Sequence, residues 1–184
     1  CSAGNDLDKN GLNPLNNDGA AFVFTKDGND KWNQSQKVVA TVRHALAGFG
    51  NSVDMDLNHL VVGASFEHYN SSNQDSVLHA GAAYVFKKSG GTWLQLQKLS
   101  APVRASSDHF GHAVTIDLPN IIVGAYWEDE DGSELNNVYN AGSTYMFNIC
   151  SPLSGTISPR VCDSMVSPSG KYVYTTSGFR YDTV

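Results

Sequence analysis

Two segments of the chain align without a gap, "AGFGNSVDMDLNHLVVGASFEHYNSSNQDSVLHAGAAYVF" at 47–86 and "DHFGHAVTIDLPNIIVGAYWEDEDGSELNNVYNAGSTYMF" at 108–147. Several blocks keep the same offset of 61 residues: Phe49-Gly50 with Phe110-Gly111, Gly63-Ala64 with Gly124-Ala125, and Gly81 with Gly142. Self-similarity at a fixed period is the signature of a repeat architecture. The alignment therefore predicts that structural units recur along this chain.

An earlier, partial copy precedes these two segments. "GAAFVF" at 19–24 matches "GAAYVF" at 81–86, and "KWNQSQKVVA" at 31–40 matches "TWLQLQKLSA" at 92–101, with one residue inserted between the blocks. The chain accordingly divides into a partial copy 1–40, a full copy 41–101 and a partial copy 102–148. A different segment, 149–184, follows.

Each full copy contains four short stretches with strand character. In the second copy these are "GNSVDMDL", "HLVVGA", "GAAYVF" and "WLQLQKLS", in which Trp93, Leu94, Leu96 and Leu99 mark the apolar positions. Four strands in each period of 40–60 residues are typical of a propeller blade. The three copies predict two, four and three strands, a little over two four-stranded antiparallel blades.

These blocks resemble the FG-GAP repeat, which is found in integrin α-subunit propellers and in many microbial surface proteins. The resemblance covers about residues 1–148 and rests on Phe49-Gly50, Gly63-Ala64 and their counterparts in the next copy. It implies an extracellular β-propeller used in adhesion, ligand binding or scaffolding. Trp32 and Trp93 recur and are predicted to be core residues, whereas Trp127 is a candidate contact residue.

Composition supports the all-β prediction and excludes some functions. Charged residues make up only 16% of the 184 residues, and 8 Tyr and 8 Phe accompany many Gly, Asn and Ser, a mixture that suits short strands and turns. The net charge of −6 argues against a nucleic-acid partner, which requires a basic face. No apolar run approaches the ~20 residues that span a bilayer.

Two and a quarter blades do not close a ring, because propellers need at least about four. Three explanations stay open: a section of a longer chain, copies that complete one another's sheets, or a compact β-domain that is not a propeller. Cys1 also resembles the lipid-bearing residue of a processed lipoprotein, although the repeat register favours a cut inside a repeat.

The last segment breaks the repeat. "SPSGKYVYTTSGFRYDTV" at 167–184 resembles the "SPSGKYTWTTSGTYTDT" modules of large cell-surface proteins in Bacteroidetes-type bacteria. It predicts a small β-hairpin module at 149–184, or the start of a following domain. Cys150 and Cys162 flank a Pro- and Ser-rich region and form either a disulfide or two unpaired thiols.

Two acidic loops are candidate calcium sites. Asp6, Asp8 and Asn10 alternate before Gly11, and the third copy offers Glu128, Asp129 and Asp131, an arrangement that places oxygen ligands around a hard cation. The alternative is a solvated acidic loop. Integrin-type repeats hold calcium one connection earlier, so the resemblance does not carry the ion to these loops. Asn33 and Asn70 fit the N-glycosylation sequon.

Catalytic motifs are not evident. "DHFGH" at 108–112 lacks a third metal ligand and a nucleophile, and the chain contains neither "GxSxG" nor "GxxxxGK". We therefore predict a non-catalytic, extracellular adhesion or scaffold protein that binds a protein or glycan on a surface. One alternative is a structural subunit of a filament, whose partner is a further copy of itself. Another is the non-catalytic propeller of a secreted hydrolase.

Overall fold

The computed structural model describes residues 7–129, 138–149, 165–166 and 173–174. The chain forms two compact units, Cys1–Phe147 and Asn148–Val184, which are described separately. The described residues contain strands and no helix, so the all-β prediction is confirmed.

Nine strands lie between residues 7 and 149: β1 (Ala21–Lys26), β2 (Trp32–Val38), β3 (Val53–Asp56), β4 (His59–Ala64), β5 (Ala82–Ser89), β6 (Thr92–Leu99), β7 (Ala113–Asp117), β8 (Asn120–Ala125) and β9 (Ser143–Asn148). They form three sheets with the orders β1-β2, β3-β4-β5-β6 and β7-β8-β9. The two, four and three strands predicted for the three copies are therefore present. In the second unit, β10 (Met165–Val166) pairs with β11 (Val173–Tyr174).

The pairing of β5 with β6 in the second sheet contains one β-bulge. The β5–β6 pairing shifts between Val85 and Phe86, so Leu96 has no direct partner in the ladder. Such a bulge turns the strand and changes which side chains face the core. Trp93 and Leu99 are buried, but Leu94 and Leu96 are exposed, so only two of the four apolar positions predicted for this strand lie in the core.

A recurring aromatic cluster forms the core of each copy. The Phe49 ring centre lies 5.2 Å from that of Tyr84 and 6.0 Å from that of Phe86. Phe110 repeats this arrangement, at 5.3 Å from Tyr145 and 6.0 Å from Phe147. Phe49 and Phe110 are both buried. The phenylalanine of each Phe-Gly pair is therefore the central core residue of its sheet.

Candidate binding face

The long connections leave the sheets at one end. Ala64 at the end of β4 pairs with Ala82 at the start of β5, and Ala83 pairs with Leu99 at the end of β6. Connections 65–81 and 100–112 therefore start at the same end of the second sheet, while two-residue turns join the strands at the other end. We call this end the loop face; it comprises 39–52, 65–81, 100–112, 126–129 and 138–142.

The loop face exposes a run of large apolar side chains. Five of them come from three loops and are each 43–54% exposed: Leu46, Phe66, Leu78, Tyr126 and Trp127. We call this set the loop-face patch. Its aromatic members are joined through His109, whose ring centre lies 5.0 Å from Phe66 and 4.9 Å from Trp127. These ring contacts make the aromatic part of the patch continuous, and an exposed apolar surface of this kind is typical of an interaction site.

Histidines extend the ring contacts across the loop face. The His79 ring centre lies 5.1 Å from that of His68 and 5.8 Å from that of His109. Burial lowers the pKa of His68 and of His109, because low-dielectric surroundings disfavour the charged imidazolium. The three imidazoles thus extend the ring contacts of the loop-face patch from His109 to His68.

A buried carboxylate anchors the loop beneath the patch. Glu67 is fully buried and accepts hydrogen bonds from Tyr84 Oη at 2.8 Å and from the backbone N–H groups of His68 and Tyr69, each at 2.9 Å. Lys98 Nζ lies 3.4 Å from Glu67 Oε2. Burial alone raises the pKa of Glu67, but Lys98 and the hydrogen bonds outweigh it and hold that pKa below its usual value. Because both charges have partners, the loop is held in one conformation.

Further contacts link neighbouring loops to each other. The Arg104 guanidinium donates to Asp75 Oδ2 at 3.0 Å and to the His68 carbonyl. The His109 N–H donates to the His79 carbonyl at 3.1 Å. The loop-face patch is thus presented on loops that are bonded across copies.

The "DHFGH" segment serves mainly to enter the third sheet. Asp108 is buried and accepts from the Ala105 N–H through Oδ2, while Oδ1 has no hydrogen-bond partner. Burial, with the charges of Glu128 and Asp129, raises the pKa of Asp108 from 3.8 to about 6. The corresponding residue of the preceding copy is Ala47, which shows that the repeat itself does not require a carboxylate here.

Only some of the candidate calcium residues lie within the described ranges. Asp8 organises its own loop: Oδ1 accepts from Asn10 N at 2.8 Å and Leu12 N at 2.9 Å, and Oδ2 accepts from Asn13 Nδ2 at 2.6 Å. Asp6 and Asp131 lie outside the described residues. Within the described ranges no three His, Cys, Asp or Glu side chains are grouped to hold a metal ion. Calcium stays a prediction.

Glu128 occupies the position of Glu67 in the next copy. It is buried, and its Oε2 accepts a hydrogen bond from Ser143 Oγ. Its carbonyl accepts from Gly142 N at 2.8 Å, just as the Glu67 carbonyl accepts from Gly81 N at 2.8 Å. Recurrence at the 61-residue period in an otherwise variable loop was the sequence signal for this structural position.

Of the two sequon asparagines, one has an exposed side chain. Asn33 on β2 is exposed and donates to Asp27 Oδ2 at 2.9 Å. Asn70 is half-buried, and its Oδ1 accepts from Ser72 Oγ at 2.8 Å. Cys150 and Cys162 lie outside the described residues, so their pairing stays a prediction.

The recurring tryptophans have different surroundings. Trp93 is 6% exposed, whereas Trp32 is 67% exposed, so the core prediction is correct for Trp93 and wrong for Trp32. Gln36 on β2 reaches across to β6 and bonds both backbone groups of Trp93, at 2.9 Å to the carbonyl and 2.8 Å from the N–H. A neighbouring copy thus covers Trp93. This contact lies in a groove of about 860 Å³ that is also lined by Val39, Ala40 and Thr41.

A family model described as the FG-GAP repeat matches residues 32–86 and 93–147, together more than half of the 184 residues. The chain belongs to the FG-GAP repeat family. FG-GAP proteins are typically extracellular and non-catalytic. No curated protein matches the chain. The described part of this FG-GAP chain contains no helix with the length and hydropathy of a membrane span.

The repeat alignment contains a signal for the loop-face patch that the sequence prediction missed. Phe66 aligns with Trp127, so an aromatic residue recurs there even though tryptophan does not. Both side chains are partly exposed and both contact His109. An aromatic position that recurs without becoming buried was the signal for the loop-face patch.

Proposed function

We propose that this FG-GAP chain acts in a non-catalytic extracellular adhesion or scaffold protein whose loop face binds a protein or glycan on a surface. The observation that carries the proposal is the loop-face patch, in which five apolar side chains from three loops are 43–54% exposed. Aromatic side chains at this exposure offer large contact areas at a low cost in side-chain entropy. The loops beneath are held by Glu67 and Arg104, so little further ordering is needed on binding.

Binding of the purified chain to printed arrays of defined glycans and purified surface proteins tests this proposal. The double variant Phe66→Ser, Trp127→Ser removes the two rings that contact His109, and we expect at least tenfold weaker binding to whichever probe the unmodified chain binds. The matched control is Leu94→Ser, Leu96→Ser, which removes two similarly exposed apolar side chains on β6. Equal loss in both variants, or no loss in the first, would reject the loop face.

A second candidate function is the structural subunit of a filament. Leu94 and Leu96 are exposed on β6, which lies at the edge of the second sheet, and exposed apolar side chains at a sheet edge favour association with another chain. Light-scattering mass after size exclusion tests this: growing oligomers that Leu94→Lys, Leu96→Lys abolishes would support it, and a concentration-independent monomer would exclude it.

Calcium stiffening of the two acidic loops belongs to the same proposal. Oxygen-rich loops bind calcium when several ligands converge. We expect calcium to raise the Tm of the unmodified chain and to leave that of Asp6→Asn, Asp131→Asn unchanged. An identical Tm in calcium and in chelator would remove the ion from the proposal.

A further inference from the structure

His109 lies at the centre of the ring contacts in the loop-face patch. The residue is only 3% exposed. Its ring centre lies 5.0 Å from that of Phe66, 5.6 Å from that of Tyr126 and 4.9 Å from that of Trp127. Phe66 belongs to the second copy and the other three residues to the third. The imidazole therefore joins the aromatic side chains of two neighbouring copies.

The hydrogen bonding of His109 determines where a proton would be added. Its Nδ1 lies 3.1 Å from the Ser65 carbonyl oxygen. Because a carbonyl oxygen only accepts, Nδ1 carries the hydrogen, and a second proton would bind at Nε2. Within the part of the chain that the structure describes, Nε2 makes no hydrogen bond. Protonation thus places a charge among apolar rings without a hydrogen-bond partner, which is unfavourable.

Two further imidazoles lie close enough to oppose that charge. The His79 ring centre lies 5.8 Å from that of His109 and 5.1 Å from that of His68. His68 Nε2 is itself buried without a hydrogen-bond partner. Burial lowers the pKa of His68 and of His109 below the ordinary 6.5, because an apolar environment disfavours the imidazolium form. Positive charges on neighbouring rings at these distances repel one another.

Charged side chains on the surrounding loops do not offset these effects. Glu67 raises the pKa of His68, but burial and His79 lower it by more. For His109, burial and the charges of His79 and His112 outweigh the Ser65 carbonyl, which raises its pKa. The carboxylates on the loops around the three rings are Glu67, Asp75, Asp108, Glu128 and Asp129. The other basic groups on these loops and on the adjoining end of β6 are Arg43, His44, Lys98, Arg104 and His112. Of these, Glu67 pairs with Lys98, and Asp75 pairs with Arg104.

We propose that protonation of His109 opens the loop-face patch in mild acid, so that the loop face holds its ligand near neutral pH and releases it as the pH falls. Because the folded state binds this proton less readily than a solvated imidazole does, the penalty begins below about pH 6.5 and is complete below the lowered pKa. Conformations in which the ring reaches water gain by the same amount. Release of a ligand rests on the proposed function of the loop face. The opening itself does not, and it is tested without a ligand.

Fluorine NMR of the chain labelled with 5-fluorotryptophan tests whether the proton on His109 acts on the patch. The pH is lowered from 7.5 to 5.0, and the Trp127 resonance is assigned with Trp127→Phe. We expect this resonance to shift with a midpoint below pH 6.5, while that of the buried Trp93, outside the patch, stays in place. His109→Asn should abolish the shift. Asparagine keeps a donor for the Ser65 carbonyl and tolerates the positive φ of 56° at this position.

Two matched variants separate His109 from other titrating groups. His59→Asn removes an imidazole whose pKa is also lowered by burial, at the start of β4 and away from the loop face. Asp108→Asn removes the adjacent carboxyl, whose pKa is about 6. Both variants should keep the Trp127 transition. No transition in the unmodified chain, a transition that persists in His109→Asn, or one that disappears in Asp108→Asn would overturn the proposal.

Hydrogen exchange then measures whether the loops separate. The His109 N–H donates to the His79 carbonyl and the Phe110 N–H to the Ala80 carbonyl, so exchange in residues 105–113 reports on the contact between the two loops. After correction for the intrinsic pH dependence of exchange, protection should fall at least about threefold from pH 7.5 to 5.0 in the unmodified chain. His109→Asn should keep its protection. Equal protection at both pH values would mean that His109 is protonated within the closed patch, and the proposal would be wrong.

Discussion

The second and third sheets are built from nearly the same pattern, yet only the second is enclosed. Tyr84 is 1% exposed in the cluster around Phe49, whereas its counterpart Tyr145 is only half-buried beside Phe110. The ring distances within the two clusters agree within 0.1 Å. The ring geometry within a cluster is thus the same in both copies, whereas the burial of the cluster depends on the neighbouring copy. In repeat proteins, stability arises from both contributions, the intrinsic unit and its interface.

The largest expected effect comes from the tryptophan that a neighbour covers. Trp93→Ala removes a buried ring and the packing on it, so we expect a loss of about 4 kcal/mol in the free energy of unfolding. Trp32→Ala changes the aligned residue, which is 67% exposed, and we expect a loss below about 1 kcal/mol. Urea unfolding of both variants measures the difference. Equal losses would show that covering by Gln36 and its strand has no energetic consequence.

The buried carboxylate of the second sheet is next. Glu67→Gln leaves Lys98 buried without its counter-charge, and we expect a loss of about 3 kcal/mol in the free energy of unfolding. Asp75→Asn breaks an ion pair with Arg104 in which the aspartate side chain is 64% exposed, and such pairs contribute at most about 1 kcal/mol. Urea unfolding of both variants at pH 7 compares them.

The pH dependence of Glu67 sharpens this test. Its pKa is lower in the folded chain than the ordinary 4.5, so the unfolded state takes up a proton first as the pH falls. The contribution of Glu67 is complete above about pH 4.5 and is lost as the pH falls through the lowered pKa of the folded state. The difference between the unmodified chain and Glu67→Gln should therefore shrink in acid. A difference that stays constant down to pH 3 would contradict this origin.

A methyl group at Gly63, where the backbone of the next copy lies against the second sheet, has a smaller effect. Gly63→Ala pushes its Cβ against the Gly111 carbonyl oxygen and Ser52 Oγ, at 2.0 and 2.2 Å before relaxation, and we expect a loss of about 2 kcal/mol. Gly124→Ala places the same group in open space and should change the unfolding free energy by less than about 0.5 kcal/mol. Thermal and urea unfolding compare the pair. A loss of equal size at Gly124 would contradict the open space around its Cβ position.

The sequence was sufficient to predict the strands but not the exposure of the side chains on them. The alternating stretches and the 61-residue period predicted nine strands and their grouping, because these depend on local pattern. The exposure of Trp32 was missed, since the same residue type in the same register is buried or exposed according to the next copy. Leu94 directly follows the buried Trp93 and therefore faces the opposite side of the strand, while Leu96 lies at a bulge without a partner in the ladder. The apolar residue type alone indicates neither.

The loop face likewise has features that the sequence predicts and features that depend on the fold. The spacing of acidic residues predicted that Asp8 and Glu128 bind calcium. In the structure, Asp8 accepts hydrogen bonds from its own loop, and Glu128 is buried at the position that corresponds to Glu67. The exposed aromatic pair of Phe66 and Trp127 required the fold, because exposure depends on where loops from two copies meet. A residue type that recurs in each copy indicates a structural or a functional position. The burial of its side chain in the fold distinguishes the two cases.

The smallest expected effect concerns Asp108, which stands where the second sheet has the buried Ala47. Asp108 Oδ1 has no hydrogen-bond partner, and the pKa of this carboxyl is raised to about 6 by burial and by Glu128 and Asp129. Asp108→Asn keeps an oxygen for the Ala105 N–H and removes the buried charge. We expect this variant to be more stable than the unmodified chain by about 1 kcal/mol at pH 7.

The sign of the pH dependence separates this prediction from a general effect of charge. Because the pKa of Asp108 is higher in the folded chain than the ordinary 3.8, the folded state holds the extra proton between about pH 4 and pH 6. The unmodified chain therefore loses stability relative to Asp108→Asn as the pH rises through that window, and the advantage of the variant vanishes near pH 4. Asp117→Asn, which removes the same charge from an exposed side chain on β7, is the control for the loss of one negative charge. Urea unfolding at pH 4, 5, 6 and 7 measures all three chains; an advantage of Asp108→Asn that grows toward pH 4 would mean that the carboxylate is stabilised in its charged form.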